Sequence, residues 1–311
     1  MKKFRILALV LVVLFVLIEI FVFNKTEEKV DTKPIVSVSS FFLYDITKHI
    51  AQDSAEIVNI LPFGVDPHSF EMTPKIMAKI EKSSLVLFSG AGLEPWISQI
   101  EFKCKATDVS KSVKLRTLDS DELESHQHHD HQCAHNTLDP HYWLDFQNMK
   151  SATNVVTEQL ILLEPKNRDL YLRNSNKYLT MLAKLDASFK QNLSSCRIDH
   201  IILNHNSMGY LAYKYGFHAE SLSGLSPEAQ PTPNDIKRII HEIDENGINT
   251  IFFENFVNSK VIYTIAKDTG IKVDVIESLG NITADQAESN TTYEKLMYKN
   301  LDKLSKALMC N

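Results

Sequence analysis

From Pro34 onward the chain alternates between two hydrophobic rhythms. Short runs rich in β-branched residues alternate with stretches whose apolar positions recur every three or four residues. The runs predict strands over Ile35–Ser39, Ile57–Leu61 and Leu85–Phe88, with a weaker one over Thr107–Val109. After residue 200 they predict Ile201–Leu203, Phe217–Leu222, Thr250–Phe253 and Lys272–Ile276. The helical spacing falls between them, over Phe42–Ile50, Phe146–Leu163, Met208–Tyr215, Pro233–Glu245, Ser259–Thr269 and Thr292–Leu308. Thr73-Pro74 and Thr232-Pro233 read as an N-cap followed by proline in the first turn, where the missing N–H costs nothing. Gly216, Gly247 and Gly270 stand where helices stop. Strands alternating with helices imply parallel sheets. The unbroken apolar run Leu85–Phe88 fits a strand covered on both faces.

One stretch breaks the alternation. Lys166–Cys196 runs without Gly or Pro, and Leu170, Tyr171, Tyr178, Leu179, Leu182, Leu185, Phe189 and Leu193 keep helical spacing. At ~1.5 Å per residue this helix would extend roughly 45 Å. It reads as a stiff connector. The expected fold class is therefore α/β, with two lobes. Each carries a mainly parallel four-stranded sheet flanked by helices, and one long rigid helix joins them. The expected divisions are a segment 1–33, a first lobe 34–164, the connector 165–196 and a second lobe 197–311.

Residues 1–33 are of another kind. Lys2, Lys3 and Arg5 precede the apolar run Ile6–Ile18, then Glu19 and Ile20–Phe23. A basic start before an apolar centre fits an export signal or anchor. A run of about 18 residues is marginally long enough to span a bilayer. With no small-x-small cleavage pattern and no cysteine after the run, the reading favours an uncleaved inner-membrane anchor over a cleaved signal. Asn24–Lys33 then forms a tether, and the rest lies in the periplasm or on the extracytoplasmic face of the inner membrane.

Composition narrows the function. Of 311 residues, 44% are apolar, enough for full cores, and the net charge is −6 with no basic stripe beyond the N-terminus, which argues against nucleic acid. The four cysteines are an even number in a chain read as exported. Cys196 and Cys310 flank the C-terminal half and can close it, whereas Cys133 can serve as a soft metal ligand.

The histidines carry the candidate chemistry. His126, His128, His129, His131 and His135 crowd a tract with no apolar periodicity, in a loop at about 119–138. Such a tract stays solvated and collects weak metal sites. His141 differs, because Asp139-Pro140 before it and Tyr142-Trp143 after it restrict the backbone. Groups just beyond the carboxyl ends of parallel strands are the ones that meet ligands. That rule selects His68 in Gly64-Val65-Asp66-Pro67-His68, His141, His205 and Glu277. Three imidazoles and one carboxylate suit tetrahedral Zn²⁺, whereas Mn²⁺ would take more carboxylate oxygens. Asp66, Asp139 and Glu254 are expected to stand behind the ligands and orient them. His49, His200, His218 and His241 read as structural or solvated.

The segments GVDPHSFEMTP, GLEPW, DPHYWLD, NHNSMGYLAYKYGF and SPEAQPTPNDI, in this order over about residues 34–309, resemble the zinc- and manganese-binding solute receptors of ABC importers, the ZnuA/TroA-like family. The resemblance implies two lobes joined by a rigid helix, metal held between them, and delivery to a membrane permease by a monomeric receptor. It carries ligand roles to His68 and His141. His205 takes the third position, where histidine marks zinc-type members. The His-rich tract resembles a loop of zinc members thought to gather metal. Glu277-Ser278-Leu279-Gly280 departs from the usual Asp-Pro-Leu-Gly, Asn206-Ser207-Met208 departs from an aromatic-rich turn, and the lipidation cysteine of some members is missing. Two other classes compete. One is a zinc hydrolase built on the three histidines with Glu277 or Glu254 as base, although no HExxH is present. The other is a metal-buffering or adhesive surface protein in which the tract is the main function.

Overall fold

The computed structural model describes residues 33–117, 138–223, 225, 231–256 and 260–311. The predicted anchor, the His-rich tract and Cys133 lie outside the described residues. Residues 34–311 form one compact unit.

Two four-stranded sheets carry the fold. The first contains β1 (Ile35–Val38), β2 (Glu56–Asn59), β3 (Leu85–Phe88) and β4 (Lys105–Asp108), in the order β2-β1-β3-β4. The second contains β5 (His200–His205), β6 (His218–Ser223), β7 (Thr250–Phe253) and β8 (Lys272–Val275), in the order β6-β5-β7-β8. Every pairing is parallel. Both sheets thus follow the same winding, with the first and third strands flanking the point where the order reverses. Strand-end groups there face an open crevice.

Helix boundaries follow local chemistry. Thr73 accepts from the Ile76 N–H to cap α2 (Pro74–Ile80), and Thr232 and Asp235 form a capping box at the start of α6 (Pro233–Asn246). Gly247 then ends α6 in the left-handed conformation. Asp145 accepts from the N–H groups of Gln147 and Asn148 to open α3 (Phe146–Leu163).

The predicted connector is α4 (Arg168–Asn192), 25 residues long. A 3₁₀ turn at Pro165–Asn167 takes up its expected first residues. Its buried positions Tyr171, Ser175, Tyr178, Leu182, Leu185 and Phe189 alternate three and four apart. They make one stripe that packs against α1 (Phe41–Ala51), α3 and the last helix, α9 (Tyr293–Ala307). The connector is therefore embedded rather than free-standing. Asp45 joins three of these helices: its carboxylate accepts from the Tyr178 hydroxyl at 2.7 Å and the Tyr293 N–H at 3.2 Å. One buried cluster runs from Val36 and Phe42 of the first sheet region through Trp143 and Leu182 to Leu203 and Ile276 of the second. Cys196 and Cys310 form a disulfide that ties the chain end to the exit of α4.

Candidate metal centre

Two of the three candidate histidines are presented by the same local device. In Asp66-Pro67-His68 the Asp66 carboxylate accepts from the His68 backbone N–H at 2.7 Å, and in Asp139-Pro140-His141 Asp139 accepts from the His141 N–H at 2.9 Å. An aspartate that caps the N–H two residues on closes a tight turn, and the central proline fixes its φ. His205 is instead the last residue of β5.

The three side chains converge. His68, His141 and His205 each offer a nitrogen, and these atoms lie within 4.8 Å of one another. His141 and His205 are buried, and His68 is partly so. The Nε2 atoms of His68 and His141 are 3.3 Å apart. Zn–N bonds of ~2.0–2.1 Å at a tetrahedral angle put two donor nitrogens about 3.3 Å apart. His205 Nε2 is buried with no hydrogen-bond partner among the described residues. A buried imidazole nitrogen without a partner is costly, and a cation among the three rings would satisfy it.

Carboxylates stand behind two of the rings. Asp139 Oδ1 is 2.9 Å from His141 Nδ1, and its other oxygen is 3.4 Å from the Arg116 guanidinium. Glu254, just past β7, places Oε1 2.9 Å from His205 Nδ1. Its N–H donates to Asn204 Oδ1 across the sheet, which sets its position beside β5. A carboxylate that accepts the Nδ1 proton leaves the Nε2 lone pair toward the centre and strengthens it.

The electrostatics differ from ring to ring. Burial, reinforced by His141 and His205, pushes the His68 pKa down to about 2, so this ring stays neutral. Burial also opposes a proton on His205, but the Glu254 charge and hydrogen bond outweigh it and raise its pKa. Burial would raise Glu254, yet His205 and hydrogen bonds from His205, Ser278 and Ser207 hold it at about 2.

Glu277 is not brought into the group. It is buried beyond β8, but Oε1 accepts from Lys299 Nζ at 2.7 Å and Gln286 Nε2 at 2.9 Å, and Oε2 accepts from Asn255 Nδ2 at 3.0 Å. The expectation of a fourth ligand here meets a carboxylate whose oxygens are already engaged. Asp66 acts on the His68 backbone, as its turn requires. The five tract histidines lie outside the described residues. The tract's flanks come together beside Asp139: Thr117 and Leu138 form an antiparallel bridge, and the Asp139 N–H donates to the Arg116 carbonyl. His49 hydrogen-bonds the Asp45 carbonyl, His200 stacks on His218 and His241 lies 3.4 Å from Glu245.

The profile of the ZnuA family, zinc-uptake complex component A periplasmic, matches residues 36–307. The chain belongs to that family. The high-affinity zinc uptake system protein ZnuA of Bacillus subtilis (strain 168) is 28% identical over 278 residues, 88% of this chain and 87% of its own length. The zinc-binding lipoprotein AdcA of Streptococcus pneumoniae is 26% identical over 308 residues, 98% of this chain but 60% of its own length. Among solved structures, the laminin binding protein Lmb of Streptococcus agalactiae, described as having adhesin and metal transporting activity, matches with a TM-score of 0.77 at 27% identity. That match covers 88% of this chain and 99% of the other. In this ZnuA-family chain, sequence reasoning gave no supporting role to Arg116, Ser207 or Asn281. Their signal is slight, because each is a polar residue in a loop, and only the fold brings them to Asp139, Glu254 and the loop before His68.

Proposed function

We infer that this ZnuA-family protein is the zinc-binding receptor of an ABC importer, and that His68, His141 and His205 hold the ion. The observation that carries the ligand set is the buried, unpartnered His205 Nε2 within reach of two further imidazoles. Three imidazole nitrogens with no carboxylate oxygen among them favour Zn²⁺ over Mn²⁺. Asp139 and Glu254 orient the rings, and Glu277 serves as a hydrogen-bonded strut, which leaves the fourth position to water. The protein works on the extracytoplasmic side as a monomer, held to the membrane through residues 6–23, and hands its ion to a permease. The tract histidines His126, His128, His129, His131 and His135 raise local metal encounter.

A hydrolase would use the same three ligands with a water and a base. Of the candidate bases, Glu254 is bound to His205 and Ser207, which suits a support better than a base. Among the described residues no helix is long and apolar enough to cross a membrane.

The test is metal content after dialysis against a weak chelator, with and without residues 125–136. Retention of one zinc in both forms, and its loss in His205→Ala, is the expected result. Zinc held only when the tract is present would move the function to the tract and sink the receptor reading.

A further inference from the structure

A six-residue segment after β8, residues 277–282, touches the supports of all three histidines. Trp143 Nε1, two residues from His141, donates to the Ser278 carbonyl at 2.6 Å. The Ser278 hydroxyl hydrogen-bonds Glu254, the partner of His205. Asn281 Nδ2 donates to the carbonyls of Pro62 and Val65, both at 2.7 Å, in the loop that ends at His68. The Gly64 N–H returns a bond to the Ile282 carbonyl at 2.9 Å, and the Phe41 N–H donates to Gly280. Leu279 sits at φ +60 with its side chain fully buried, a backbone state that a non-glycine residue keeps only when its surroundings enforce it.

The geometry points to Asn281 as a positioning residue for His68, an inference that rests on the three-histidine reading. His141 and His205 are each aimed by a carboxylate on Nδ1. His68 is held through its backbone, by Asp66 at its own N–H and by Asn281 on the turn before it. The two carbonyls bracket Phe63-Gly64, where Gly64 takes φ +85, so one side-chain amide clamps both arms of the turn. Asn281 is itself 4% exposed, and its Oδ1 accepts from the Ile282 N–H, which leaves the amide no other orientation. The clamp reaches from the second lobe to a ligand loop of the first. It sits three residues from Ser278, which braces the His205 partner. The His68 and His205 sides of the centre are thus set by one short strap.

The test is zinc affinity and dissociation rate for Asn281→Ala and the isosteric Asn281→Asp, each alone and with His68→Ala. Loss of a group behind a metal ligand costs about 10–100-fold in affinity. We expect a loss of that size for both single variants, mainly through faster release, and greater for Asn281→Asp, which turns a donor into an acceptor against two carbonyls. In the His68→Ala background the further loss from Asn281→Ala should shrink to about twofold or less, because the two changes remove one interaction. Equal losses in both backgrounds, or unchanged affinity in both single variants, would overturn the assignment and leave the zinc centre standing. A wild-type protein that binds no zinc, or a His68→Ala variant that binds it as tightly as wild type, would instead overturn the reading beneath it.

Discussion

At the scale of single residues, the proposed ligand His205 is a place where proton and metal would compete. Glu254 raises its pKa, so as pH falls a proton occupies this ring before that of His68, which stays neutral down to about 2. Zinc affinity should therefore fall as pH drops through the raised His205 value. Glu254→Gln removes the charge that raises it. That variant should bind zinc about 10–100-fold more weakly near neutral pH, where orientation and basicity are lost. Its affinity should begin to fall at a lower pH than that of wild type. Chelator competition across roughly pH 5 to 8 measures both effects. An unchanged pH midpoint in Glu254→Gln would show that Glu254 does not tune the ligand. The Asp-Pro-His pairs made two candidate ligands legible in sequence, because aspartate, proline and histidine at that spacing define a turn by themselves. The surroundings of Glu277 were not legible for the opposite reason. Its donors Gln286 and Lys299 come from later helices, and the short helix Ala284–Glu288 leaves little trace in the hydrophobic pattern.

At the scale of elements, α4 decides how the two sheets are held. Its buried stripe makes it part of a helical layer rather than a spacer. Leu182 is fully buried within that layer, so Leu182→Ala should cost about 2–5 kcal/mol of stability. Thermal or urea unfolding reads this directly, and a loss below about 1 kcal/mol would mean the helix is not part of the core. The periodicity of α4 was plain in sequence and its strand neighbours were placed within a few residues. The partners of its apolar stripe were not legible, because periodicity says which face is buried and not what covers it. The Cys196–Cys310 bridge was open on the same ground, since cysteine positions alone do not specify a pairing.

At the scale of the whole molecule, two parallel sheets share one continuous core, and the proposed ligands come from loops of the first and a strand end of the second. His68 and His141 belong to the first sheet's loops and His205 ends a strand of the second. The alternation of strands and helices announced the two sheets. The shared core came only with the fold, since it joins Phe42 and Leu182 to Leu203 across long sequence separations. Close packing of this kind resists deformation, and it holds the Nε2 atoms of His68 and His141 3.3 Å apart, a separation that suits two zinc ligands. The most direct test of this centre is competitive zinc titration of His68→Ala, His141→Ala, His205→Ala and Glu277→Ala side by side. Each histidine variant should lose tight binding, while Glu277→Ala should keep a tight site with affinity within about tenfold of wild type, as expected for a supporting group. A Glu277→Ala protein that loses zinc as completely as His205→Ala, or a histidine variant that keeps it, would contradict the three-histidine centre.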